Sequence, residues 1–341
     1  MSSRESLPPS GRARSEARSP AVWSGFWSGR RLARLVGGSV LVAVVVGVLW
    51  WRSGAELSRV AALLFSADLG YVALALAAYY GSFPIRAWRW SLLLSRATDG
   101  APPVRLHLLL LPYLYGWLLN CVIPAKVGEL YRCYLAHRRL RTPLGTAFGT
   151  VLLERAADFA VLGGLFPLVT LLVLGSPPSD SLRLLQLAAV LGSILVVLAL
   201  IALRRTARVL HRFPPRLQRP IAALAGALAL DVRMGARLLG TTLPLWALEG
   251  LRVYAESRAL GLHFGLALAL LVALIAALLT TIPLTPAGIG AVELGIAGTL
   301  LVLGLPAEQA IALALLDRLV AYWSVFVVAG PLWLTDYLRR N

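Results

Sequence analysis

Apolar runs long enough to cross a bilayer recur from Leu32 almost to the C-terminus of this 341-residue chain, and they limit it to very few architectures. A membrane-crossing helix needs about 20 mostly apolar residues. In hydrocarbon each backbone amide must find its partner inside a helix or a closed barrel. The runs here are unbroken and lack the alternation of barrel strands, so the fold class is an all-α polytopic membrane protein. Hydrophobic residues make up 58% of the chain against 14% charged, and the mean hydropathy is +0.76.

The net charge of +17 would suit nucleic acid if the arginines formed a patch. They stand instead at the ends of apolar segments, as in cytoplasmic membrane loops, so a membrane lipid and no nucleic acid is the expected partner. Residues 1–20 read as a disordered Arg/Ser/Pro-rich cytoplasmic tail. Residues 21–340 read as one transmembrane domain. The first run, Leu32–Trp51, is too long for a cleavable signal and lacks a small-residue cleavage site.

Arginine placement sets the topology. A cytoplasmic N-terminus sends Leu32–Trp51 outward to a short loop near Glu56–Asp68, and Leu69–Leu94 returns to Arg86, Arg89, Arg96 and Arg105. The next piece, Leu106–Ile123, is followed by Arg132, Arg138, Arg139 and Arg141, so it carries positive charge on both sides. A re-entrant hairpin turning at Pro124–Gly128 keeps both clusters inside. Leu144–Leu174 exits, Leu184–Leu203 returns to the basic loop from Arg204 to Arg219, and Leu238–Leu260 exits again. Leu266–Ile282 meets a second break at Pro283–Gly290 and turns back through Ala291–Leu303. Ala310–Leu334 then brings Arg339 and Arg340 inside. The expectation is about six full spans plus two re-entrant hairpins, multi-pass in a bacterial inner (plasma) membrane with both termini cytoplasmic.

The two halves, about 30–175 and 183–336, match at an offset of about 162 residues. Pro124-Ala-Lys126-Val-Gly128 aligns with Pro286-Ala-Gly288-Ile-Gly290. Glu154-Arg155 follows the first proline by 30 residues and Asp317-Arg318 the second by 31, while Arg86 to Trp90 aligns with Glu249 to Tyr254. Hairpins entering from opposite faces make this an inverted repeat, an architecture that puts a binding site at the interface of the halves beside broken helices.

The chain has one lysine, Lys126, and one asparagine before its last residue, Asn120, both at the first break; every other strong cation is arginine. Pro124 and Gly128 stop one helix, and Pro286, Gly288 and Gly290 stop the other. Broken helices expose backbone N–H groups that attract anions. Asn120 either bridges the arms of the hairpin or donates to a phosphate oxygen, and Lys126 adds a compact cation. Together these describe a phosphate-sized anion site at membrane depth. A loop cation snorkelling to a headgroup, or a packing kink, is the blander reading. Glu129, Arg132, Arg89, Arg252 and Glu293 complete the candidate headgroup set; for Glu129 and Glu293 helix capping is the simpler role.

Glu154 and Asp158 stack on one helix face, beside Arg155. With Asp317 and Arg318 they are expected to form buried ion pairs with arginines, and Glu249 to pair with Arg252. Cys121 and Cys133 give neither a disulfide framework nor metal-ligand spacing. His107, His137, His211 and His263 are scattered, and no nucleophile elbow or phosphate-binding loop is visible. No catalytic residue, cofactor or metal is expected.

The ordered set Asn120-x3-Pro124-x-Lys126-x-Gly128-Glu129-x2-Arg132, Glu154-Arg155-Ala-Ala-Asp158, Pro286-Ala-Gly288-Ile-Gly290-x2-Glu293 and Asp317-Arg318-x3-Tyr322-Trp323 resembles the lysylphosphatidylglycerol synthase transmembrane (flippase-like) domain family. The resemblance covers nearly everything after about residue 30. It implies a membrane protein that moves lipids between leaflets. In two-domain members a cytosolic synthase domain follows the membrane part. This chain stops at Asn341, so the expectation is the membrane domain without synthase activity. Where the family's second motif usually begins Pro-Gly-Gly, this chain has Pro286-Ala287-Gly288.

The leading reading is a flippase or scramblase for an anionic or polyprenyl-phosphate lipid, not an enzyme. The alternatives are a non-transporting accessory to a cell-envelope glycosyltransferase, and an intramembrane transferase. A homo-oligomer or a cell-envelope enzyme partner is compatible with either of the first two.

Overall fold

The computed structural model describes residues 54–98, 104–175, 180–205, 208, 214–229, 231–281 and 285–339. The expected N-terminal tail and the run Leu32–Trp51 lie outside the described residues.

The described chain is helical throughout. Its helices are α1 (Leu57–Phe65), α2 (Leu69–Ala97), α3 (Leu106–Val122), α4 (Val127–Leu140), α5 (Leu144–Leu174) and α6 (Asp180–Arg205). They continue with α7 (Pro215–Ala227), α8 (Val232–Ala259), α9 (Leu266–Thr281), α10 (Ala291–Val302), α11 (Ala307–Arg318) and α12 (Ser324–Leu338). Among the described residues α5, Gln186–Arg205 within α6, and the continuous Ala307–Leu338 are each long and apolar enough to cross a bilayer. The pair α1 and α2, bent by 80°, passes the same test together. With its several apolar helices the chain is a polytopic membrane protein.

Helix ends fall within a few residues of the apolar runs, but three elements differ from the sequence reading. The loop near Glu56–Asp68 is mostly the helix α1, and the basic loop after Arg204 gives way to a further helix, α7. Both are too short to register as spans. Each instead buries a narrow stripe: Val60 in α1, Ala225 and Ala227 in α7. Leu57 and Phe65 stay exposed on α1. The third difference is a π turn at Leu319–Trp323, which joins α11 to α12 inside what reads as one apolar run.

One order of elements occurs twice. A short helix leads into a long one, then comes a broken helix, then another long helix. The short helices pack across: α1 lies on α11 and α7 on α5. Both long helices start at an aspartate cap. Asp68 accepts from Gly70 and Tyr71, and Asp231 from Met234. That bond to Met234, with Arg96 nearby, holds the Asp231 carboxyl below its ordinary range. The long helices α2 and α8 pack along one another more extensively than any other pair.

Both breaks follow one backbone rule. Ala125 and Lys126 have φ of 64° and 54°, and Ala287 and Gly288 have φ of 47° and 72°. Two consecutive left-handed residues reverse the chain, which lets α3 lie against α4 and α9 against α10. Glycine makes the approach close. A Cβ on Gly128 would stand 1.7 Å from the Gly116 carbonyl oxygen, and one on Gly295 would stand 2.0 Å from Leu279 Cδ1. Only the first neighbour is immovable backbone.

Gly128→Ala is therefore expected to force the arms of the first break apart and to destabilise the protein by about 1–3 kcal/mol or more. Gly164→Ala, where an added Cβ meets nothing within 4 Å, leaves stability unchanged or slightly higher. Thermal melting of the two purified variants in detergent checks the contrast. Equal melting points would mean that α3 and α4 do not pack as described.

Candidate functional site

Arg89 on α2 is 1% exposed and lies where several elements meet. Its guanidinium donates to Asp158 at 2.6 and 3.3 Å, to Thr242 Oγ1 on α8 at 2.8 Å and to Glu154 at 3.4 Å. Glu154, fully buried, also takes Arg132 of α4 at 2.6 Å. The Arg132 guanidinium lies over the Tyr113 ring at 4.3 Å and the Trp90 ring at 4.8 Å, so its charge is shared between a carboxylate and two aromatic faces. Arg155 reaches Asp158 at 2.9 Å and Glu129 at 3.5 Å. One carboxylate-bearing turn of α5 thus fastens α2, α4 and α5 together.

The second half repeats the arrangement. Arg252 on α8 meets Glu256 at 2.8 Å, Glu249 at 3.2 Å, and Asp317 on α11. Asp317 also takes Arg318, whose Nη1 lies 3.5 Å from the Ala287 carbonyl in the second break. The Arg89–Glu154 and Arg252–Asp317 pairs each link residues 65 positions apart. Arg86 bridges the halves by donating to Glu249 at 2.9 Å.

Removing water from these charges is expensive, and each needs its partners in place. All five residues read from the sequence as buried ion-pair formers, Glu154, Arg155, Asp158, Asp317 and Arg318, carry ion pairs, but only Glu154, Asp317 and Arg318 are buried, while Arg155 and Asp158 are partly exposed at the cavity. Glu256, fully buried on Arg252, was missed, because one more glutamate on an otherwise ordinary helix gives no signal.

At the first break Asn120 Oδ1 accepts the Gly128 N–H at 2.8 Å, so it is a bridge between the arms. Tyr322, from the π turn, donates to the Cys121 carbonyl at 3.0 Å and satisfies one of the open groups at the end of α3. At the second break Glu293 takes the Gly290 N–H at 2.7 Å and caps α10. Glu129 does not cap; its carboxylate faces Arg155.

A cavity of about 190 Å³ lies between the two breaks. Pro124, Ala125 and Lys126 border it from the first, and Thr281, Thr285 and Ala287 from the second. Lys126 is half-buried there, in a left-handed conformation that disfavours any residue with a Cβ. Among the described residues no carboxylate lies within 4 Å of its ammonium group, whereas the arginines around the cavity are paired. Strain and an unneutralised cation at one residue mark it as the chemically distinct point of the fold.

The remaining candidates divide by position. Asn120, Lys126 and Glu129 from the headgroup set border the cavity, joined by Arg155 and Asp158 from the ion-pair set. Arg89 and Arg252 are withdrawn among several carboxylates, Arg132 between Glu154 and two aromatic rings, and Gly128 is closed against Gly116. Gly288 lies against Thr280, and Gly290 is held by Glu293. These residues shape the breaks and do not border the cavity. The sequence reading left out Arg86, Trp246 and the Thr280-Thr281 pair, all of which do. The threonines had a signal: they are the only polar residues of α9, at its last turn before the break.

Glu154→Gln is expected to lower stability by about 3–5 kcal/mol by leaving Arg89 and Arg132 short of a buried counter-charge. Lys126→Gly removes no ion pair and relieves a left-handed side chain, so its stability stays within about 1 kcal/mol of wild type. Denaturation in detergent measures both; a melted Lys126→Gly beside a stable Glu154→Gln would exchange their roles.

The family described as lysylphosphatidylglycerol synthase TM region matches residues 37–329. A UPF0104 membrane protein of Methanocaldococcus jannaschii is 27% identical over 217 residues, covering 61% of this chain and 89% of that one. One of Pyrococcus horikoshii is 26% identical over 324 residues, 86% of this chain and 95% of the relative. One of Methanothermobacter thermautotrophicus is 22% identical over 312 residues, with coverages of 83% and 88%.

Proposed function

Because the chain belongs to the lysylphosphatidylglycerol synthase TM region family of membrane proteins, we propose that it is a lipid flippase or scramblase of the inner membrane, and not an enzyme. It moves an anionic or polyprenyl-phosphate lipid between leaflets. The headgroup passes through the cavity between the breaks while the tails stay in the bilayer. The observation that carries this reading is Lys126, the single lysine, held strained on a cavity that both breaks border, with no carboxylate of the described residues within 4 Å. A phosphate oxygen is the natural partner for a compact ammonium in such a place.

The proposed frame is an inverted repeat, with halves of about 30–175 and 183–336 making six full spans and two hairpins that dip from opposite faces. Both termini are then cytoplasmic. Its support is the paired Asp68 and Asp231 caps, the two 65-residue ion-pair links, the crossed packing of α1 and α7, and the matched left-handed turns. In this frame the pairing of Arg86 with Glu249 holds the two long helices in register as headgroups pass.

Purified protein in liposomes, with fluorescent phosphatidylglycerol and an outer-leaflet quencher, tests transport. Lys126→Gly should slow leaflet exchange by about tenfold or more, the loss of one charge-assisted contact, while Arg208→Ala keeps wild-type rates. Exchange no faster than in protein-free vesicles, with any anionic lipid, would instead favour the glycosyltransferase-accessory role, in which the protein scaffolds an envelope enzyme. For topology, single cysteines at Arg138 and Gly304 are introduced in a background lacking Cys121 and Cys133. The first should label from the cytoplasm and the second from outside; labelling from one side rules out the inverted arrangement.

A further inference from the structure

We infer that the cavity between the breaks selects a lipid headgroup with a single phosphodiester and at most one net negative charge, over a phosphomonoester or a diphosphate. The inference rests on reading this cavity as the headgroup site, and it narrows the lipid class that the site takes.

Three cations, Arg86, Lys126 and Arg155, border the cavity, and so do three carboxylates, Glu129, Asp158 and Glu249. Arg86 meets Glu249 at 2.9 Å; Arg155 meets Asp158 at 2.9 Å and Glu129 at 3.5 Å. The walls are therefore formally neutral, and of these three cations Lys126 is the one with no carboxylate of the described residues within 4 Å. Asp158 and Glu249 also serve Arg89 and Arg252 from behind, so neither is free to swing away. A monoanionic phosphodiester finds Lys126. A second negative charge finds no further unpaired cation on these walls and faces Glu129 and the two pinned carboxylates, where screening is far weaker than in water.

The test is ligand protection of the detergent-solubilised full chain against heat, read separately from transport. The probes are phosphatidylglycerol, phosphatidic acid, a polyprenyl diphosphate, and the water-soluble glycerophosphoglycerol and pyrophosphate. The expected result is protection by phosphatidylglycerol at concentrations about tenfold or more below those needed for the phosphomonoester or the diphosphate lipid. Glu129→Gln leaves Arg155 on Asp158 and adds one positive charge to the walls, so it should shift the preference toward phosphatidic acid. A purely structural role for Glu129 would not move that ratio. Equal or stronger protection by the diphosphate lipid, or protection by none of the probes, overturns the inference. Glycerophosphoglycerol as potent as the lipid overturns a lipid source. Selective protection without leaflet exchange would sink the transport reading and leave this one standing.

Discussion

A guanidinium inside a membrane protein has to be met by carboxylates, and in this chain that requirement organises everything else. Arg89 and Arg252 are almost fully buried, and each gathers carboxylates from its own half. An arginine stripped of its buried partner would cost about 3–5 kcal/mol, a large share of what a typical domain has in reserve. The helices carrying the partners are therefore not free to slide. Arg89 also reaches Thr242 and Arg86 reaches Glu249, so the two halves lock to one another through α2 and α8.

A rigid frame of this kind lets the breaks be strained. Left-handed residues with side chains are unfavourable, and a fold keeps them only where its surroundings over-determine the backbone. Here Asn120 and Gly116 close the first break, Glu293 caps the second, and Tyr322 ties the end of α3 to the π turn. Both breaks are thereby held open toward one shared cavity. Lys126 is the residue that pays nothing to the frame, since no ion pair of the described network depends on it. Its loss and the loss of Glu154 should therefore be separable in the laboratory.

Much of this was legible in the sequence for simple reasons. Burial in lipid needs long apolar runs, so the positions of α2, α3, α5 and α9 follow from hydrophobicity. Proline and glycine clustered within five residues set both breaks, at Pro124–Gly128 and Pro286–Gly290, apart from the single prolines that α2, α3 and α5 carry without breaking. A charged residue in an apolar run has few permitted roles, which is why Glu154, Asp158 and Asp317 stood out as ion-pair formers. The helices α1 and α7 were not legible, because a short helix packed by a narrow stripe leaves no spanning run. The π turn was hidden too, since its residues are as apolar as their neighbours.

The sequence by itself determined the membrane solvent, the location of the breaks and the singularity of Lys126, because each depends on residue type at a known spacing. It could not say which charges face a cavity and which face each other. Arg89, Arg132, Arg155 and Arg252 are the same residue in similar apolar surroundings, yet only Arg155 borders the cavity. That division depends on the packing of helices far apart in the chain, which decides how many carboxylates come within reach of each cation. Only the tertiary structure left Lys126, among the three cations that border the cavity, without a carboxylate of the described residues within 4 Å.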